Sequence, residues 1–155
     1  MRRASAADVP ALARVINRAY SVEEFFVHGP RVDEEGVRDR LNKPTGAFLV
    51  IDDDEPGQLA GAVYVELRGE RGWFGLLSVD PDRQKRGLGK KLVQAVEAHC
   101  RAAGCIHLDL DTVNVRLELP AFYSALGFAP FGTSPFPEHV KLKLPAHLVL
   151  WSKNL

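Results

Sequence analysis

The segment Gln84-Lys85-Arg86-Gly87-Leu88-Gly89 joins an apolar strand to an amphipathic helix, and this junction limits the folds open to the chain more than any other feature. Before it, Trp73 to Val79 reads as a strand that Ser78-Val79-Asp80-Pro81 closes. After it, Leu88, Leu92, Val93, Val96 and Cys100 recur on one face, which predicts a helix from Gly87 to Ala103 ended by Gly104. The four positions after Pro81 are polar, so the link is a surface loop. Two glycines one residue apart let the backbone turn tightly with its N–H groups inward. The unpaired amides and positive dipole end of the helix complete an anion site suited to phosphate or pyrophosphate. Arg83, Lys85, Arg86, Lys90 and Lys91 add charge in a chain whose 20 basic and 20 acidic residues cancel. A local cluster in a neutral chain points to a small anionic ligand. Nucleic acid or an anionic membrane as main partner calls for a basic excess.

The remaining pattern supplies two more helices before this unit and a helix and strands after it. Ser5-Ala6-Ala7-Asp8 reads as a capping box opening a helix over about 7–20, and Asp33 caps a short helix to Leu41. Ala47–Ile51, Leu59–Leu67 and Trp73–Val79 read as an antiparallel meander. Ile106–Val113 alternates Ile106, Leu108 and Leu110 against His107, Asp109 and Asp111, as a strand does. Pro120–Leu126 is a short helix ended by Gly127, followed by strands at Phe128–Phe131 and Leu148–Trp151 around a Pro-rich loop, Gly132 to Pro145. The expected class is α+β, or mixed α/β, in one domain over 1–155.

A phosphate-binding P-loop is excluded, because Gly89-Lys90 is followed by Lys91 and Gln84 stands five positions before Gly89. A dinucleotide fingerprint fails at its third glycine, where Leu92 stands, and the turn follows a meander. Gln84-x-x-Gly87-x-Gly89 between strand and helix instead resembles the acyl-CoA signature of the GNAT superfamily of N-acyltransferases. Leu77-Ser78-Val79-Asp80-Pro81 resembles that family's fourth strand and its exit. Leu108-x-Leu110-x-x-x-Asn114 resembles its fifth strand and asparagine, and Phe122-Tyr123-x-x-Leu126-Gly127-Phe128 its closing helix and turn. These motifs, in the family's order, cover about 73–128. The Asn114–Tyr123 interval is longer than in the simpler members, so Val115 to Leu119 reads as an extra turn.

The resemblance implies a central twisted, mostly antiparallel mixed sheet of about seven strands flanked by about four helices. It also implies direct attack of an amine on acetyl-CoA, with no metal. The backbone at Leu77 and Val79 is then expected to pair with the pantetheine arm near the Ser78 hydroxyl, and the Val79 amide to polarise the thioester carbonyl. Gln84, Lys85, Arg86, Gly87, Leu88, Gly89 and Lys90 are expected to hold the pyrophosphate. Asn114 and Phe122 complete the cofactor contacts, and Tyr123 is the general acid. Some members carry a glutamate near the position of Trp73, where this chain has no acid. Glu66 is the nearest candidate base, with a water relay or a partly neutral amine as alternatives. A non-catalytic acyl-CoA-binding domain is the competing function on the same scaffold.

The acceptor, a small-molecule or peptide amine, is expected between Tyr20–Arg31 with Phe25 and Phe26 and the Gly132–Pro145 loop with Phe136 and His139. Cys100 and Cys105 lack metal-ligand spacing and read as reduced thiols of a cytoplasmic protein. Met1-Arg2-Arg3-Ala4 lacks a signal-peptide core, and no apolar run reaches membrane-spanning length. A monomer or homodimer is expected.

Overall fold

The segment Leu59-Ala60-Gly61-Ala62-Val63-Tyr64-Val65 has few polar breaks, as a strand covered on both faces requires. In the computed structural model, which describes residues 1–155, it forms most of β3 (Leu59–Arg68), whose first eight residues are buried. Around it runs a seven-stranded sheet in the order β1-β2-β3-β4-β5-β7-β6. The other strands are β1 (Arg2–Arg3), β2 (Gly46–Asp52), β4 (Arg71–Val79), β5 (His107–Val113), β6 (Ala129–Pro135) and β7 (His147–Asn154). Every neighbouring pair is antiparallel except β4 and β5. Four helices cover it: α1 (Val9–Ala19), α2 (Glu34–Leu41), α3 (Leu88–Ala102) and α4 (Leu119–Ala125). This is the mixed, mostly antiparallel architecture expected.

Each sheet face carries its own core. Val9, Leu12, Val15 and Ile16 of α1 and Val37 of α2 pack with Phe48, Val50, Ala62, Tyr64 and Leu76. Leu92, Val93, Val96 and Cys100 of α3 and Tyr123 of α4 pack with Val63, Val65, Phe74, Leu108, Leu110, Phe128 and Trp151. The period-2 alternation of β3 sends Ala62 and Tyr64 to the first layer and Val63 and Val65 to the second.

Three elements differ from the sequence reading. β1 has only two exposed polar residues, which leave no periodic signal. β6 extends through Pro135, into the segment read as loop. It is an edge strand, where proline's missing N–H breaks no ladder, and the register shifts between Pro130 and Gly132. β7 continues past Trp151 because its polar end is held by side chains: Ser152 Oγ donates to Asp109 Oδ1 at 2.6 Å and Lys153 Nζ to Glu97 Oε1 at 2.8 Å.

The feature that shapes the site lies in β4. Ala62 faces Ser78 and Tyr64 faces Gly75, so β4 carries one residue more than β3 over this stretch. Leu76 absorbs the bulge at φ 54°, and the Ser78 hydroxyl donates to its carbonyl at 2.8 Å. A branched residue in this region costs about 1–3 kcal/mol, which burial of the leucine side chain helps to offset. Beside it, β4 and β5 pair only from Arg71↔His107 to Trp73↔Asp109 and then part.

Asp80 fixes the exit of β4 to α1. Its buried carboxylate accepts from Arg18 Nε at 3.0 Å, Arg18 Nη2 at 3.1 Å and the Asp82 N–H at 2.9 Å. The Arg18 bonds hold its pKa below the usual carboxylate value. A depressed folded pKa gives stability that is present above the unfolded pKa, about 3.9, and lost as pH falls through the folded one. Asp80→Asn should therefore lower the melting temperature by about 2–6 °C at pH 7, and the gap should narrow at a pH below the ordinary carboxylate value. Calorimetry at both pH values tests this; an equal gap at both would remove the ion pair from the account.

Candidate active site

The parting of β4 and β5 opens a cleft of about 1300 Å³ that reaches both strands, the glycine turn, α4 and the α1–α2 connection. Past Trp73 no strand pairs with β4 on its β5 side. Phe74 to Leu77 and Val79 line the opening on the β4 side, and Leu110 to Val113 on the β5 side. An exposed strand edge of this kind offers main-chain hydrogen bonds to an extended ligand.

At one end, the turn is arranged differently from the reading of two flexible glycines. The left-handed positions are Lys85, at φ 66°, and Gly87, at φ 74°. Gly89 lies inside α3 and has no positive φ. What Gly89 supplies is space, since a Cβ there would stand 3.4 Å from Phe122 Cζ. Alternating backbone hands turn successive N–H groups into one concavity, an anion-binding nest at the start of a helix. Gln84, Lys85, Gly87, Leu88, Gly89 and Lys90 all line the cleft. Arg86 does not, and Arg83 is spent on Asp53 at 2.9 Å, so neither adds to the charge facing the cleft.

In the middle stand Phe122 and Tyr123 of α4. Tyr123 is largely buried among Phe74, Phe122, Phe128 and Trp151, with ring centroids 5.0–6.4 Å away. Burial pushes its phenol well above the ordinary value, so it stays protonated at neutral pH. Asp111 of β5 also lines the cleft; it is exposed to solvent, and the rise that desolvation gives its carboxyl pKa is opposed by Trp73 and Arg68. No cation bridges it, whereas Asp109, on the same face of β5, is held by Arg71 at 2.7 Å.

The other end is built from the segments expected to receive the acceptor. The α1–α2 connection and the 136–143 loop are laced together: Val27 bridges Leu142, and the Lys143 N–H donates to the Phe26 carbonyl at 2.7 Å. Tyr20, Glu23, His28, Arg31, Arg40, Phe136 and His139 line this end. The longer segment after Asn114 has a definite role. It carries Arg116 across to Glu23 at 3.2 Å while also binding Glu118 at 2.8 Å. Burial raises the Glu23 pKa, and Arg116 opposes the rise.

Several predicted residues lie elsewhere. Glu66 does not line the cleft; its carboxylate accepts from Lys43 at 3.0 Å, the Tyr64 hydroxyl at 2.9 Å and Arg68 at 3.2 Å. These three donors hold it ionised and occupied, which corrects its choice as a base. Ser78 turns its hydroxyl back onto the bulge. Asn114 fastens β5 to β7, accepting from the His147 N–H at 2.8 Å, and is not on the cleft wall. Phe25 is exposed outside the cleft, and Phe26 is fully buried behind Phe136, 6.4 Å between centroids. Asp111, which lines the cleft, is not singled out by the sequence reading. Alternation marked its face of β5, yet only the loss of pairing with β4 opens that face to a ligand.

The chain is similar to known acetyltransferases. Mycothiol acetyltransferase of Propionibacterium freudenreichii subsp. shermanii is 30% identical over 119 residues, 70% of this chain. The chain spans only 38% of that relative's length. The ribosomal-protein-S18-alanine N-acetyltransferase of Escherichia coli superposes with a TM-score of 0.80 at 17% identity, covering 99% of this chain and 91% of the other. An aminoglycoside 6'-N-acetyltransferase solved with coenzyme A gives 0.74 at 19% identity, covering 94% and 89%. At these identities the two structures share the fold alone. The family model for the acetyltransferase (GNAT) family, whose enzymes use acetyl-CoA, matches residues 12–128. The chain therefore belongs to the GNAT family of acetyltransferases.

Proposed function

We propose that this chain transfers an acetyl group from acetyl-CoA to an amine by direct attack. The observation that carries the reading is the parting of β4 from β5 beside the Tyr123 side chain, with the amide nest of the turn at one end. The residues fit the cofactor: a Cβ on Gly87 would meet nothing within 4 Å, so the mouth of the turn is open to a bulky anion. Bound acetyl-CoA supplies an acetyl thioester, a carbonyl carbon activated for attack with a thiolate as leaving group.

The amides from Lys85 to Lys90 and the side chains of Lys85 and Lys90 hold the pyrophosphate. The free edge of β4 at Leu77 and Val79 hydrogen-bonds the pantetheine amides as an added strand would, with Phe122 as an apolar wall. The Val79 N–H is the donor for the carbonyl oxygen. Asp111 accepts a proton from the attacking nitrogen; its raised pKa makes it a better base than an ordinary aspartate. Glu23 is engaged by Arg116 and less free to do so. Tyr123, neutral in its buried setting, donates to the departing sulfur. An ordinary thiol has a pKa near 8.5, below the raised phenol. Tyr123 therefore acts first as a hydrogen-bond donor and passes its proton on only as far as burial also raises the basicity of the sulfur.

Mass spectrometry of an amine panel incubated with acetyl-CoA tests the reading: acetylated product supports it, and tight cofactor binding without turnover on any amine would favour a binding domain. Gly89→Glu should weaken coenzyme A binding by about 100-fold or more, since a carboxylate there opposes the phosphates across a few ångströms. Calorimetric titration measures this, and unchanged affinity would place the cofactor elsewhere. Tyr123→Phe should lower kcat about 10- to 1000-fold and spare cofactor affinity; a fully active variant would exclude the hydroxyl. The Asp111 base predicts that kcat/KM rises with pH through a value above the ordinary 3.9, with the sign set by the need for the ionised carboxylate. Asp111→Asn should lower the rate about 100-fold and abolish that limb, and retention of it would point to another base.

A further inference from the structure

The acceptor end of the cleft is not electrically neutral once its internal pairs are taken out. Arg116 is bound to Glu23 and Glu118. Arg31 and Arg40 also line this end and have no carboxylate partner. Arg18, Arg40, Arg83 and Arg116 are the arginines only partly exposed to solvent. The other three meet carboxylates at 2.8–3.2 Å, and Arg40 alone meets none. Its Nη1 donates to the Gly36 carbonyl at 3.0 Å, and its guanidinium lies 6.0 Å from the Tyr64 ring centroid. The buried carboxylate of that neighbourhood, Glu66, is already taken by Lys43, Arg68 and Tyr64. Arg31 sits 5.4 Å from the Tyr20 ring centroid and forms no ion pair, and Glu23, the acid near enough to feel its charge, is bound by Arg116. Burial lowers the Arg40 pKa and the charge of Arg31 lowers it further, against the pull of Asp39 and Glu66, neither of which bonds its guanidinium.

Two guanidinium groups brought together without an acid cost free energy that a bound anion returns, and guanidinium is matched to carboxylate by paired N–H donors. Asp111, on the opposite strand wall, is the unpaired acid of the same cleft and faces an arriving ammonium. From this arrangement we infer that the acceptor is an amine carrying an anionic group, a carboxylate, that Arg31 and Arg40 hold while the amino group reaches the thioester. The inference rests on the proposed acetyl transfer and specifies its substrate class. The acidic Asp33-Glu34-Glu35 run opens α2 and lies off the cleft, so it offers no wall for a polycationic acceptor.

The test uses matched acceptors: amino acids, the same amino acids as amides, and aminoalkyl phosphates. Rates are measured with acetyl-CoA, and each compound is also titrated calorimetrically into the protein. Amino acids should be preferred over their amides by about tenfold or more in kcat/KM, the scale of a charged hydrogen-bond pair. Arg31→Gln and Arg40→Gln should each raise the amino-acid KM while leaving coenzyme A affinity and the amide rates unchanged. Arg31 is exposed, so its variant folds even where Arg40→Gln does not. Preference for the aminoalkyl phosphates would overturn the carboxylate assignment, and amides equal to or better than amino acids would overturn the anion site. Failure of coenzyme A to bind would instead sink the acetyl-transfer reading, while the amino-acid titration still reports on the two arginines.

Discussion

The parallel pairing of β4 with β5 lasts three residues, and the rest of the molecule is organised around its failure. One extra residue in β4 bends that strand at Leu76, and the bend leaves a free strand edge in the middle of the sheet. A buried sheet does not normally tolerate such an edge, because its N–H and C=O groups lack partners. Here the edge is sustained from both sides. The β3–β4 ladder continues past the bulge, and β5 is paired along its whole length with β7. The two helix layers close over the sheet faces and leave the gap open.

Charge is distributed to the same end. Carboxylates that fix structure are paired: Asp80 with Arg18, Asp53 with Arg83, Asp109 with Arg71, Glu66 with Lys43 and Arg68. Several charged residues on the cleft wall, by contrast, form no ion pair. Lys85 and Lys90 stand at the turn, Asp111 in the middle, Arg31 and Arg40 at the far end. A site prepared for an ionic ligand has this form, since its counter-ions arrive with the ligand.

Much of the frame was legible in the sequence, for physical reasons. Val9, Leu12 and Ile16, and Leu92, Val96 and Cys100, recur at helical spacing because one face of each helix meets the sheet. The turn was legible because Gly87 has no side chain to oppose a left-handed backbone. The sequence could not show that Lys85 takes the second left-handed position, which depends on how the loop is pinned at Asp80 and Arg83. Glu66 resembled a free strand-end acid because its partner Lys43 comes from a distant loop. Asp111 resembled an ordinary polar strand residue because periodicity reports a face and says nothing of whether a neighbouring strand is absent. The bulge itself leaves no signal in Leu76-Leu77-Ser78.

The central claim is that the gap between β4 and β5 is the cofactor site, and a crystal structure of the protein with acetyl-CoA tests it most directly. The account predicts the pantetheine arm lying between Phe74–Val79 and Leu110–Val113, with the pyrophosphate against the amides of 85–90 and the thioester beside the Tyr123 hydroxyl. A cofactor bound elsewhere, or β4 and β5 zipped together beyond Trp73 in the bound form, would contradict it.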